Sequence, residues 1–410
     1  MFKSQKHILL LVCISLIING CQNSSENVFH HPDSSLLPKE EKIDNKVRLN
    51  DQSELVTFPV RLKKKGEINP EKNASDEYYY YRIPPKNIQS DLQRNVYVLQ
   101  AHTSSINVFN QNGKFLYKIG RKGNGPGEFN SLKTFSFSDD YNELYALDHF
   151  KIEVFVKKQE RYTYDRTYFQ ELQGSFDMCI MDDYIYISGY KISKKVLDKI
   201  ENTETEEEKL QNIKGSKISK PIHRLNRHTG EYEFEFGYLY QSENIIGPLG
   251  ALLSETMLSC NKDSKTVTGI IKYYPFVFGY DTEGNQKWIS KIEGFKSIES
   301  IEKYSENGKP SLVRYSNSDV FNRYLPVRSG LDEYTFIQVI YSLPQKSFAS
   351  DVKHILPENP LKTLSLNTVN GEMKNISFKK TIGTLGNGVF VGVKASENKE
   401  AIMSLYNILE

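Results

Sequence analysis

"INVFNQNGKFLYKIGRKGNGPGEFNSLKTFSFSDDYNELYALDHFKIEVF", residues 106–155, is the stretch whose reading decides the fold. Apolar and polar residues alternate over 106–109, 115–119, 143–147 and 152–155, the period-two pattern of β-strands. Asn110–Gly113 reads as the turn between two of them. The segment "IGRKGNGPGEF" (119–129) then packs four glycines and a proline between two apolar stretches, with Arg121 and Lys122 near its start. Two readings compete. A phosphate-binding loop should open a helix whose N-terminal amides face the anion. Here "FNSLKTFSFS" follows, and it alternates like a strand. The glycines therefore read as a connector. Gly120, Gly123, Gly125 and Gly127 permit positive φ, Pro126 stiffens the crossing and Phe129 re-enters the core. Arg121 and Lys122 alone keep the anion loop as a minority reading.

Moving outward, the same pattern recurs in "NVYVLQ" (95–100), "DYIYISGY" (183–190), "YEFEFGYLY" (232–240), "FVFGYDTEGNQKWI" (276–289), "YTFIQVIY" (334–341) and "GVFVGV" (388–393). Amphipathic helices are nearly absent. The 26 Tyr and 22 Phe, against one Trp, suit half-buried pleated surfaces. Equivalent inner strands are expected near 97, 145, 186, 270, 336 and 390, so the first two steps of 48 and 41 residues each hold one four-stranded unit. Six units emerge. The expected fold is all-β, a six-bladed β-propeller of four-stranded antiparallel blades. A ring exposes no edge only if it closes. An N-terminal strand in "SELVTFPVRL" (53–62) is expected to pair with "AIMSLYNIL" (401–409) and complete the last blade. "EYYYYRIPP" (77–85) reads as a strand of the first blade, with a carbohydrate-stacking strip as the minority reading. The mixed-charge run 193–217 reads as a partly helical insertion on one face of the third blade and as a candidate docking surface.

The "nGk" turn, Gly-rich connector ending in "GEF", "LYALD" and the following "IEVF" resemble an NHL-type repeat. With the N-terminus described next, the chain resembles six-bladed propeller lipoproteins of Bacteroidetes type. That resemblance implies the fold and a place in the cell envelope. It implies no activity.

Residues 1–20 read as a signal peptide, with Lys3 and Lys6 before the apolar run Ile8–Ile18. That run is shorter than the ~20 apolar residues of a membrane-spanning helix. It ends in Ile18-Asn19-Gly20-Cys21, which resembles the lipobox of bacterial lipoproteins, so Cys21 is the expected lipidation site and the membrane the expected partner. Gln22 rather than Asp after the cysteine favours outer-membrane placement, with the periplasmic and cell-surface sides both open. Residues 21–50 read as a flexible tether and 51–410 as the propeller. Cys179 and Cys260 remain after export, either paired or as two buried thiols. Without residues 1–20 the 53 Lys and Arg fall to 51, matching the 51 Asp and Glu. A neutral chain without a basic block has no electrostatic footprint for nucleic acid.

Chemistry is sought at the channel mouth, at the ends of the expected inner strands: His102, Asp148, His149, Tyr190 and Tyr273 are the candidate ligand-binding residues. One carboxylate among six blades makes no oxygen cage for calcium, and Asp148 also reads as a turn-capping residue. No Cys/His spacing resembles a zinc site, and no Gly-x-Ser-x-Gly elbow is present. No metal, no cofactor and no catalytic residue is expected. The favoured function is a binding module for a glycan, peptide or envelope-protein partner. The alternative is a propeller hydrolase or lyase with a metal at the channel mouth.

Overall fold

A computed structural model describes residues 48–50, 62–70, 87–172, 174–191, 219–239, 254–292, 294–297, 299–304, 310–315, 320–324, 328–329, 333–344, 361–376, 382–386, 389–395 and 401–408, with single positions between 198 and 208. The chain is a six-bladed β-propeller. Blade one is Ile88–Ser90, Val96–Gln100, Ser105–Phe109 and Phe115–Ile119, and blade two is Thr134–Phe137, Glu143–Leu147, Lys151–Lys158 and Arg161–Phe169. Blade three is Gly174–Met181, Tyr184–Tyr190, Ile222–Asn226 and Tyr232–Phe236, and blade four is Thr256–Asn261, Thr266–Ile271, Phe276–Tyr280 and Gln286–Ile292. Blade five has a divided first strand, Val320–Tyr324 and Arg328–Ser329, followed by Tyr334–Pro344, Leu361–Asn367 and Met373–Ile376. Blade six is Ile382–Gly386, Val389–Ala395 and Ala401–Ile408, with Leu62–Ile68 as its outer strand.

The inner strands expected near 97, 145, 186, 270, 336 and 390 are each the second strand of a blade. The first strands precede them, and they follow one another around the channel from blade two to blade six and back to Ile88–Ser90. Each blade is buried on both faces against its neighbours, so its middle strands carry continuous apolar runs. All five residues of Val96–Gln100 and of Ser105–Phe109 are buried, whereas Phe115–Ile119 at the rim alternates. Apolar cores fill the seams. Tyr97, Phe129, Phe135 and Leu144 lie between blades one and two. Tyr145, Met178 and Ile187 lie between two and three, and Tyr186, Leu258 and Phe278 between three and four. Phe336 meets Phe390 across blades five and six at 5.8 Å.

The ring is closed by the N-terminus, but one step later than the sequence suggests. Lys63 pairs with Asn407 and Ile68 with Met403, antiparallel; residues 53–61 lie outside the described residues. Arg48–Asn50, placed in the tether on sequence grounds, adds a fifth, parallel strand to blade four beside Ser290–Ile292.

A recurring turn fastens blade to blade. In "NQNGK" (110–114) the Asn110 Oδ1 accepts the N–H groups of Asn112 and Lys114, both at 3.0 Å. Asp281 does the same in "DTEGN" for Glu283 and Asn285. The glycine at each tip has positive φ, +85° at Gly113 and +78° at Gly284. It lies so close to the outer strand of the preceding blade that a Cβ would strike the Glu67 carbonyl or the Phe236 ring. Gly230 and Gly371 meet Tyr168 and Trp288 in the same way.

Candidate functional site

The two sides of the ring are built differently. Turns from first to second strand, and from third to outer strand, lie on one side and span two to five residues, such as 91–95, 182–183 and 281–285. From Leu62–Ile68 onward, the longer connections leave and re-enter the ring on the other side: 69–87, 120–133, 191–221, 237–255, 293–319 with the hairpin Glu299–Tyr304/Pro310–Tyr315, and 345–360. Loops carry binding and catalytic groups in rigid scaffolds. The elaborated side is therefore the candidate site.

The Gly-rich segment lies on this side and is a connector. Phe129 N–H donates to the Arg121 carbonyl at 2.8 Å, and Gly123 N–H to the Phe129 carbonyl at 3.0 Å, closing the loop on itself. Gly120 and Gly127 have φ of +69° and +70°. Phe129 is fully buried against Gly120, where a Cβ would strike its ring. Gly125 is not in the positive-φ region, contrary to expectation; its N–H instead donates to Glu128 Oε2 at 2.9 Å. Glu128 Oε1 also takes Arg121 at 2.7 Å. The Gly125 N–H, followed by Arg121, holds the Glu128 carboxyl below the usual carboxylate range. Arg121 is thus neutralised inside the loop, and Lys122 is exposed beside it. Lys151 completes the clasp by donating to the Glu128 carbonyl at 2.8 Å and to Glu153.

Asp148 receives the far end of the same connector. Its Oδ2 accepts Asn130 N–H at 2.7 Å and its Oδ1 accepts Ser131 N–H at 2.6 Å. Both carboxylate oxygens therefore serve a backbone turn, the capping role. His149 follows it, half-buried, with its ring edge-on to Phe150 at 4.2 Å. Burial, then Lys133, depresses the His149 pKa against the pull of Asp148. Tyr190 ends the second strand of blade three beneath Gly174, its phenol pushed up to about 12 by burial. Tyr273 is buried under the Lys272 ammonium, 5.3 Å from the ring centre, and Lys272 is paired with Glu255 at 2.5 Å. His102 is exposed in the turn 101–104. These five residues share the elaborated side, but they end second strands rather than line the channel. His149 and Asp148 are adjacent and interact electrostatically.

The channel wall itself is made of groups the sequence did not single out. Asn87 and Gln89 of blade one donate to the Phe135 carbonyl of blade two's first strand, at 2.9 and 2.5 Å. Asp177 of blade three accepts Leu258 N–H of blade four's first strand at 3.1 Å. Polar side chains thus cap the backbone edge of the adjoining first strand. Cys179 and Cys260, left open by the sequence, form a disulfide across the same two strands, with Cα atoms 5.6 Å apart. Among the described residues, His223, fully buried in blade three, has no hydrogen-bond partner of normal geometry at either ring nitrogen, and the Glu235 carboxylate lies 3.9 Å from its Nδ1. Burial depresses its pKa to about 4, against a pull from the Gly189 backbone and with a further push from Lys191.

Among the described residues, no group of three or more His, Cys, Asp and Glu side chains is placed to hold a metal ion. Among them, too, no helix is long and apolar enough to cross a membrane. Cys21 and 77–85 lie outside the described residues. So does most of 193–217, although Asp198 and Glu208 within it are helical.

No protein of curated function matches the sequence. Solved structures that are similar include a protein of the DUF4221 family from Bacteroides vulgatus, at 12% identity and a TM-score of 0.49, covering 87% of this chain and 98% of that one. A Bacteroides fragilis protein described as exported is also 12% identical, with a TM-score of 0.48, over 89% of this chain and 99% of that one. Residues 85–236, blades one to three, match the model of the DUF5128 family, described as a 6-bladed beta-propeller, which is the architecture the whole ring displays.

Proposed function

We propose that this chain is an exported propeller, held at the outer membrane by lipid on Cys21, that binds a glycan, peptide or envelope-protein partner through its elaborated side. The observation that carries the reading is the asymmetry of the ring: from Leu62–Ile68 onward, every connection longer than five residues leaves and re-enters the ring on one side. The Cys179–Cys260 disulfide supports export, because such bonds persist in oxidising compartments. The binding reading is preferred to the hydrolase or lyase reading because Asp148, its best acidic candidate, gives both oxygens to a backbone turn.

Photo-crosslinking in intact cells tests it. A crosslinking residue replaces exposed Asn124 or His102 on the elaborated side, or exposed His228 or Glu283 on the other. Discrete, saturable adducts from the first pair alone are expected. Adducts from the second pair alone, or the same adducts from both, would contradict the assignment of the face. Separately, Cys21→Ala is expected to move the protein from the membrane to the soluble fraction; an unchanged membrane fraction and an unacylated wild-type mass would reject the anchor.

A further inference from the structure

The rim where the ring closes is basic, although the chain without residues 1–20 has equal numbers of basic and acidic residues. Lys63, Lys64 and Lys65 are exposed on the closing strand of blade six. Lys64 is paired with Glu67 at 2.6 Å; no carboxylate among the described residues is paired with Lys63 or Lys65. The tip of blade one's outer turn lies against this strand, Asn112 beside Gly66 and Gly113 beside Glu67. That contact brings Lys114 alongside, and Lys118 projects from the same exposed face of Phe115–Ile119. The surface continues across both seams. Arg94 reaches the Asn407 amide of blade six at 3.1 Å. At the seam with blade two, Lys157 donates to Gln93 at 3.0 Å but is largely buried and paired with Glu160 at 3.8 Å, whereas exposed Arg161 sits over the Tyr117 ring at 5.5 Å. Two leucines are exposed among these cations: Leu92 at 60% and Leu116 at 39%. Three blades thus assemble a patch that no single segment of sequence contains.

We infer that this rim of blades six, one and two rests on a bilayer surface bearing anionic phosphate headgroups. Clustered Lys and Arg are drawn to such a surface, and apolar side chains among them enter the headgroup boundary. The occupant is argued from charge and from the exposed leucines: the ammonium groups of Lys63 and Lys65 complement phosphate headgroups, and Leu92 and Leu116 beside the cations suit the headgroup boundary. The proposal rests on the lipid-anchor reading for bringing the bilayer near, but the surface contact itself does not require the lipid.

The test therefore uses the mature chain carrying Cys21→Ala, sedimented with vesicles of phosphatidylcholine alone or with about 30% phosphatidylglycerol. Binding to the anionic vesicles only, lost at high salt as screening shortens the reach of the charges, is expected. Lys63→Glu/Lys65→Glu/Lys114→Glu should weaken it by about tenfold or more. The control Lys220→Glu/Lys262→Glu/Lys296→Glu changes net charge equally at exposed sites elsewhere and should leave most of the binding. Thermal melts establish that both variants are folded; if a glutamate variant is not, the corresponding glutamine variants replace it. No binding to anionic vesicles, or equal loss in both triples, would overturn the inference. An unacylated wild-type chain would instead reject the anchor and leave the vesicle result standing.

Discussion

Gly120 and Gly127 carry the connector, and Arg121 and Lys122 do not. Gly127→Val places a β-branched residue at φ +70° with the Tyr164 Cβ already 3.1 Å from the position of its own Cβ. It should cost roughly 1–3 kcal/mol in a thermal or denaturant melt. Arg121→Ala/Lys122→Ala removes an exposed ion pair and should cost under about 1 kcal/mol. Sulfate- or phosphate-dependent stabilisation that disappears in the double alanine would reverse that ranking and establish the anion loop. The sequence was informative here because a strand pattern follows the glycines, but it misassigned Gly125, whose demand is an N–H aimed at Glu128 rather than a positive φ. His223 gives a pH prediction. Burial holds its pKa at about 4 in the folded protein against the ordinary histidine value of 6.5, so the unfolded chain binds the extra proton between these values. Stability should be full above pH 6.5 and fall progressively toward pH 4, by up to about 3 kcal/mol. His223→Gln should flatten that slope. An unchanged slope would place the acid sensitivity elsewhere.

At the scale of strands, the sequence shows most clearly what is buried on both faces. The second strands were legible because "VYVLQ" and "YIYISGY" sit between two blades and must be apolar on either side. First strands such as "IQS" and "RS" are short and polar where they border the channel, so their neighbours were taken for them. Outer strands face solvent on one edge, and "LKKKGEI" was passed over for the more apolar segment before it. The disulfide was not legible for a different reason: 81 residues separate Cys179 from Cys260, and only the meeting of two first strands pairs them. That covalent loop encloses 191–221 and 237–255, two of the longest departures from the ring. Chain-entropy reasoning gives such a link up to roughly 4.5 kcal/mol. Cys179→Ser/Cys260→Ser should lower the melting temperature and raise amide exchange first in 174–181 and 256–261. Protection lost first in blade one or six would show that the link does not govern this seam.

The whole molecule is a ring with two unlike sides and a basic rim, and none of these is a property of one segment. The number of blades was legible from repeat spacing, because each blade must supply the same buried middle strands. The side carrying the long connections follows once strand order is known. The candidate residues were only partly legible: Asp148 was correctly seen as a possible cap, but its partners Asn130 and Ser131 come from the preceding connector. Everything rests on closure by Leu62–Ile68, where Ile68 is fully buried in the core shared with Val98 and Met403. The most direct test is a pair of truncations followed by thermal unfolding. Removing 22–45 should leave the melting temperature and a single cooperative transition unchanged. Removing 22–69 takes the outer strand of blade six, exposes the edge of Ala401–Ile408 and should abolish that transition or lower it sharply, with aggregation through the open edge. Equal melting temperatures for the two truncations would contradict a ring closed by its N-terminal strand.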